Sequence, residues 1–253
     1  WVKEHATQGR VFWAIGEEIM ANPKTDYFLD LINHSANRPT LFKLKERVYP
    51  DIHWFNQNRA SDRIFHAVDG IEGLVVHATA GGSTSGALSW WKQPGGGRAS
   101  AHWIVPDEDE AGHGKEVLAV VYEALAAWHV RNAATHEKVG KKGRINHWTL
   151  GVEVVNRQTP NDTFSNWQLE ATAQIVRYCW AKYPNFRYVF SHALVDPERR
   201  SDPGVNFDWD KFVGLVLTDE NDPRRDNIGT KIFSAAESMT LSSGEEAKKY
   251  CCE

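Results

Sequence analysis

Apolar residues follow two periods along this chain, and the places where the period changes mark the elements. Ile71 to Val76 is a short apolar run with β-branched members, which predicts a central strand. Ala101 to Val105, Trp148 to Val155 and Arg187 to Ser191 read as three further strands. Asn166 to Tyr183 shows the clearest helical spacing, with Ser165 or Asn166 as cap and Glu170 in its first turn. Asp208 to Leu217 predicts a last core helix with Phe212, Leu215 and Val216 on one face. Ser83 to Gln93 predicts a shorter helix, capped by Ser83 or Thr84 and stopped at Pro94-Gly-Gly-Gly97. Val117 to Val130 suits either period.

Upstream, Arg10 to Ala21 and Asp26 to Ile32 have helix-like spacing punctuated by Pro23 and Pro39. These patterns divide the chain into a partly helical extension over residues 1–68, packed on a core over 69–218, and a tail over 219–253. Residues 219–226 read as a charged loop, and residues 228–253 are expected to be poorly ordered.

A chain of 253 residues, 42% hydrophobic, is long enough to bury one full core. Its net charge of −4 and pI near 6.3 give no broad attraction for nucleic acid or an anionic membrane. No run of about 18 apolar residues occurs, so no membrane span is expected. The chain opens on Trp1 with no Met, basic segment or apolar leader. A secretion signal is therefore expected to be absent, removed or replaced by another export route. Three cysteines make no disulfide framework. Cys179 falls in a helix and reads as a small buried apolar residue; the adjacent Cys251 and Cys252 read as frayed tail.

The chemistry-bearing residues lie in two distant segments. His77 closes the run Leu74-Val-Val and leads into the turn Ala78-Thr-Ala-Gly-Gly82. His192 and Asp202 stand ten residues apart, with Arg200 two positions before the Asp. Two neutral imidazoles and one carboxylate make a three-ligand zinc set that leaves a fourth position open, the mark of a catalytic site. A single histidine after a strand, such as His77, is more often a satisfied surface or core residue than a ligand; the matched second segment favours ligation. Competing chemistries fail on spacing. No window fits G-x-S-x-G, Gly81 to Gly86 lacks a G-K-[ST] ending, and no H-E-x-x-H occurs.

Five segments follow in order across residues 70–217. They are Val75-Val-His77-Ala-Thr-Ala-Gly81, Ala99-Ser-Ala-His102-Trp-Ile-Val105, Ala127-Trp128-His129, Asn146-His-Trp-Thr-Leu-Gly-Val-Glu153, and Ser191-His192 through Asp202-Pro-Gly204. Together they resemble the zinc-dependent N-acetylmuramoyl-L-alanine amidases of the type 2 amidase family, related to the peptidoglycan recognition proteins. The resemblance implies an α/β fold, a mixed central β-sheet flanked by helices with Zn2+ in a groove on one side. It implies hydrolysis of the amide between N-acetylmuramic acid and L-alanine in peptidoglycan or muropeptides. The site of action would be the bacterial cell wall, in the periplasm or outside the cell. Recycling, phage lysis and toxin delivery would share this site, and nothing in the chain names a protein partner such as an immunity protein.

The resemblance also implies roles. His77, His192 and Asp202 would hold the zinc. Glu153 matches the carboxylate that handles the water's proton in one branch; a second branch uses a Tyr where this chain has Ala101, which leaves the task to Glu153. Arg200 stands where the family commonly carries Lys. Its guanidinium suits an oxyanion but not proton donation, and a fold-fixing ion pair with Asp196 or Glu198 is the alternative. Trp128, His129 and His102 are candidates for substrate binding, with plain packing a competing role for His102; His147 is expected on a loop surface. A non-catalytic muropeptide-binding module is the rival class. Such relatives commonly lack a zinc ligand, whereas His77, His192, Asp202 and Glu153 are all present.

Overall fold

A computed structural model of the protein describes residues 26–44, 46–94, 97–113, 115–136, 141–218 and 232–234. The first elements are β1 (Phe28–Asp30), a 3-10 helix (Leu31–Asn37), β2 (Leu41–Lys43), β3 (Glu46–Val48), α1 (Ile52–Asn58), β4 (Ala60–Asp62) and α2 (Ala67–Gly70). Then come β5 (Gly73–Ala78), α3 (Thr84–Lys92), β6 (Trp103–Val105), β7 (Val117–Ala119), β8 (Leu125–Ala127), β9 (Thr135–His136) and β10 (Lys141–Lys142). The last are α4 (Ile145–Trp148), β11 (Thr149–Val154), α5 (Asn166–Lys182), β12 (Tyr188–Ser191), α6 (His192–Val195), α7 (Trp209–Val216) and β13 (Ile232–Ser234).

Seven strands form one mixed sheet in the order β1-β12-β5-β11-β6-β7-β3. Its middle four, β12, β5, β11 and β6, run parallel, while β1 and β7 are antiparallel to their inner neighbours. This is the expected α/β architecture. All six residues of β5 are buried, which accounts for a run too apolar to alternate: a parallel strand covered on both faces needs no polar side. Leu74, Val76 and Val152 share one core with α5 and α7. On the opposite face Val75 packs with Trp148, Phe190 and Leu194.

Helix α5 opens with a reciprocal capping box between Ser165 and Gln168, so Gln168, and not Glu170, satisfies the first turn. Cys179 is buried in this helix, as expected. Arg177, fully buried, donates from Nη1 to the Val216 and Thr218 carbonyls at 2.6 and 2.8 Å, closing the end of α7.

The expected helix over Asp26 to Ile32 is not there. Phe28–Asp30 instead pairs antiparallel with β12, and the Asp30 side chain then accepts from the Ile32 amide to start the 3-10 helix. Three residues at a sheet edge gain strand pairing only after the sheet exists, which no local period reveals. Both edge strands, β1 and β3, precede residue 69, so the described part of the expected extension completes the sheet. The expected helix over residues 10–21, the loop over 219–226 and Cys251 and Cys252 lie outside the described residues. Within residues 228–253 only β13 is described; it pairs antiparallel with β2. No described helix is long and apolar enough to cross a membrane.

Candidate active site

The site forms where parallel strands end at their carboxyl termini, the usual place for a ligand in such sheets. β5 and β11 pair so that His77 lies opposite Glu153, and both side chains therefore leave the same face. β12 pairs with β5 so that Ser191 lies opposite Val76, which carries the next residue, His192, to the side of His77. Ser191 Oγ accepts from the Leu194 amide at 3.1 Å, so α6 starts at His192. The chain returns through Asp202, whose carbonyl accepts from the Ala193 amide at 3.0 Å. Gly204 follows at φ +88°, a turn geometry that disfavours a side chain.

Three donor atoms converge there. His77 Nδ1 lies 2.9 Å from His192 Nδ1, and Asp202 Oδ2 lies 3.2 and 3.0 Å from those two nitrogens. All three residues are buried and form a cluster able to hold a metal ion. Tetrahedral zinc with bonds of about 2.0–2.1 Å separates its ligand atoms by roughly 3.3 Å. The observed triangle is within a few tenths of an ångström of that, so the residues fit. Burial, helped by His192, pushes the His77 pKa down to about 4, leaving a neutral imidazole at pH 7. Burial alone would raise Asp202, but the adjoining His192 and His77 rings outweigh it and keep the carboxylate ionised. Neutral imidazole and ionised carboxylate are the forms a metal requires.

Glu153 is half-buried, yet its Oε2 is buried without a hydrogen-bond partner. Burial pushes its pKa well above the usual carboxylate range; Asp202 adds to this and Arg200 partly opposes it. Arg200 is exposed on the loop after α6, and its charge acts on both His77 and Glu153. Asp196, one of its expected partners, is taken by Arg131 and Arg199 at 2.7 and 3.4 Å. Among the described residues Arg200 forms no ion pair, which disfavours the fold-fixing alternative.

A groove of about 520 Å³ opens beside the cluster, lined by Trp128, His129, Arg131, Asn146, His192 and Arg200 among others. His147 also lines it, with Nδ1 accepting from the Ile64 amide at 3.3 Å. Trp128 edges the groove and donates from its indole to Ser61 Oγ at 3.3 Å. His129 lines it with only a narrow edge, at 6% exposure, and its ring lies against His77. His102 is not in the groove. It is fully buried, accepts from the Gly151 amide at 2.9 Å and turns Nε2 toward the Leu125 carbonyl and Arg63. The structure thus places it behind the groove wall, in the position the packing alternative describes.

Sequence reasoning missed four supports of the site. Arg63, which precedes the resembling region, donates to the Glu123, Asn146, His147 and Thr149 carbonyls. Gly151 leaves room for His129, since a Cβ there would come within 2.6 Å of the ring. Thr149 and Asn146 hold the segment around His129. The last three stand in the quoted segment ending at Glu153, which was the available signal; Arg63 carried none.

A family model described as N-acetylmuramoyl-L-alanine amidase matches residues 67–205. The chain belongs to this family. It is 24% identical over 179 residues to N-acetylmuramoyl-L-alanine amidase A of Achromobacter lyticus, covering 63% of this chain and 91% of that protein. It is 28% identical over 120 residues to the 1,6-anhydro-N-acetylmuramyl-L-alanine amidase AmpD of Salmonella typhimurium, covering 47% of this chain and 58% of that one. The crystal structure of a selenomethionine AmpD derivative matches the fold, with a TM-score of 0.51 at 20% identity over 69% of this chain and 94% of that one.

Proposed function

We propose that this member of the family hydrolyses the amide joining N-acetylmuramic acid to L-alanine in peptidoglycan or muropeptides, with zinc held by His77, His192 and Asp202. The observation that carries the reading is the convergence of two Nδ1 atoms and one carboxylate oxygen beside the unpartnered Oε2 of Glu153. Zinc bound there supplies Lewis-acid polarisation of a carbonyl and an acidic water. Glu153 takes a proton at Oε2 and returns it to the leaving nitrogen, a task suited to a carboxyl whose burial raises its basicity. Trp128 offers a flat apolar face at the groove, and Arg98 and Arg200 give its walls positive charge, which suits carboxylate-bearing muramoyl peptides. Residues 69–218, completed by β1 and β3, form the catalytic unit, acting on the cell wall in the periplasm or outside the cell.

Arg200 faces the negative charge that develops on the attacked carbonyl. Arg200→Ala is expected to lower kcat about a hundredfold with zinc content and Tm little changed, and Arg200→Lys to recover much of the rate. An unchanged single-turnover rate in the Ala variant would remove Arg200 from the reaction.

Metal removal tests the proposal as a whole. Dialysis against a zinc chelator is expected to stop release of peptide from a soluble muramoyl peptide, and about one equivalent of zinc to restore it. Full activity in protein shown by metal analysis to be zinc-free would overturn it.

A further inference from the structure

The far side of the His77 ring is built as carefully as the side facing the cluster. His77 Nε2 lies 3.1 Å from His129 Nδ1, and His129 Nε2 lies 3.3 Å from Thr149 Oγ1. Thr149 Oγ1 in turn donates to the Ile145 carbonyl at 2.7 Å. The last group decides the direction of the chain. A carbonyl only accepts, so the Thr149 proton is committed to it and its oxygen must accept from His129. His129 Nε2 is then the N–H of a neutral ring, which leaves Nδ1 as a bare acceptor. His77 must supply the proton between the rings from Nε2, and its Nδ1 is left as a lone pair aimed at His192 and Asp202.

The surroundings fix His129 in this pose. Asn146 clamps the next residue from both sides, its Oδ1 accepting from the Val130 amide at 2.9 Å and its Nδ2 donating to the Val130 carbonyl at 2.7 Å. Gly151, lacking a Cβ, lets the ring lie this close to β11. The ring is buried between His77 and His102, with centroids 5.2 and 5.9 Å away, where a charged imidazolium would be costly.

We infer that His129 is a positioning residue, held by Thr149 and Asn146, that accepts the Nε2 proton of His77 and so commits His77 Nδ1 to the metal. This rests on the zinc reading proposed above and revises the expectation that His129 binds substrate. A hydrogen-bonded partner behind a ligating histidine fixes its tautomer and orientation, and losing one typically costs about 10–100-fold in metal affinity.

The test measures zinc affinity by chelator competition and histidine tautomers by nitrogen NMR, on the full chain with and without zinc. His129→Leu and Thr149→Val are expected to weaken zinc binding, His129→Leu by about 10–100-fold. His129→Asn, which keeps an oxygen acceptor near the place of Nδ1, is expected to recover most of the loss. Wild-type His77 is expected to carry its proton on Nε2 even without metal. A proton on Nδ1 there, or unchanged zinc affinity in His129→Leu, would overturn the inference. A merely structural His129 would lower Tm without moving tautomer or affinity, and the Asn variant would not help. Wild-type protein that binds no zinc would overturn the metal reading instead, while the metal-free tautomer still decides the relay.

Discussion

Glu153→Gln is expected to keep zinc and fold while losing roughly two or more orders of magnitude in turnover. The amide fills the same space beside His77 but neither accepts nor returns a proton. The change also has a sign in stability. A buried carboxyl with a raised folded pKa stabilises the fold fully below its unfolded value near 4.5, and that contribution is lost as pH rises through the folded value. Gln loses nothing over this range. Metal-free Glu153→Gln is therefore expected to melt no earlier than metal-free wild type at pH 7, so lost activity cannot be assigned to lost folding. Activity near wild type in this variant would move proton transfer to another group.

His77→Ala and Asp202→Ala are each expected to abolish stoichiometric zinc and lower activity by at least about a thousandfold, since Lewis-acid stabilisation is worth several kcal/mol. The two variants differ in what remains. His77→Ala leaves His192 Nδ1 and the Asp202 carboxylate 3.0 Å apart, a pair that can hydrogen-bond without metal. Asp202→Ala leaves two buried imidazole nitrogens 2.9 Å apart with no anion between them. One protonated nitrogen can bridge such a pair, but a divalent ion there loses its only charged ligand. Zinc measured by metal analysis at close to one per chain in both variants would place the metal elsewhere.

The candidate ligands His77 and His192 and the candidate base Glu153 were legible because strand ends deliver them. His77 and Glu153 each close an apolar run, and the parallel register of β5 and β11 sets them side by side. Helix α5 was legible because seventeen residues repeat one period between clear caps. What escaped depends on partners distant in sequence. β1 is a strand only because β12 is there to pair with it. The role of His102 depends on Gly151 and Leu125, and nothing in its own segment distinguishes a buried ring from a groove-lining one. Arg200 was separable from Asp196 only once Arg131, far upstream, was seen to occupy that carboxylate. The orientation of His129 required a hydrogen-bond chain ending at a carbonyl, a matter of direction that no residue pattern encodes.

Mass spectrometry of purified sacculi digested with the zinc-loaded protein identifies the bond that is cut. Free stem peptides carrying an L-alanine amino terminus, with intact glycan strands left behind, are the expected products. Sugars released with new reducing ends, and no free stem peptide from either sacculi or soluble muropeptides, would contradict amide hydrolysis at this site.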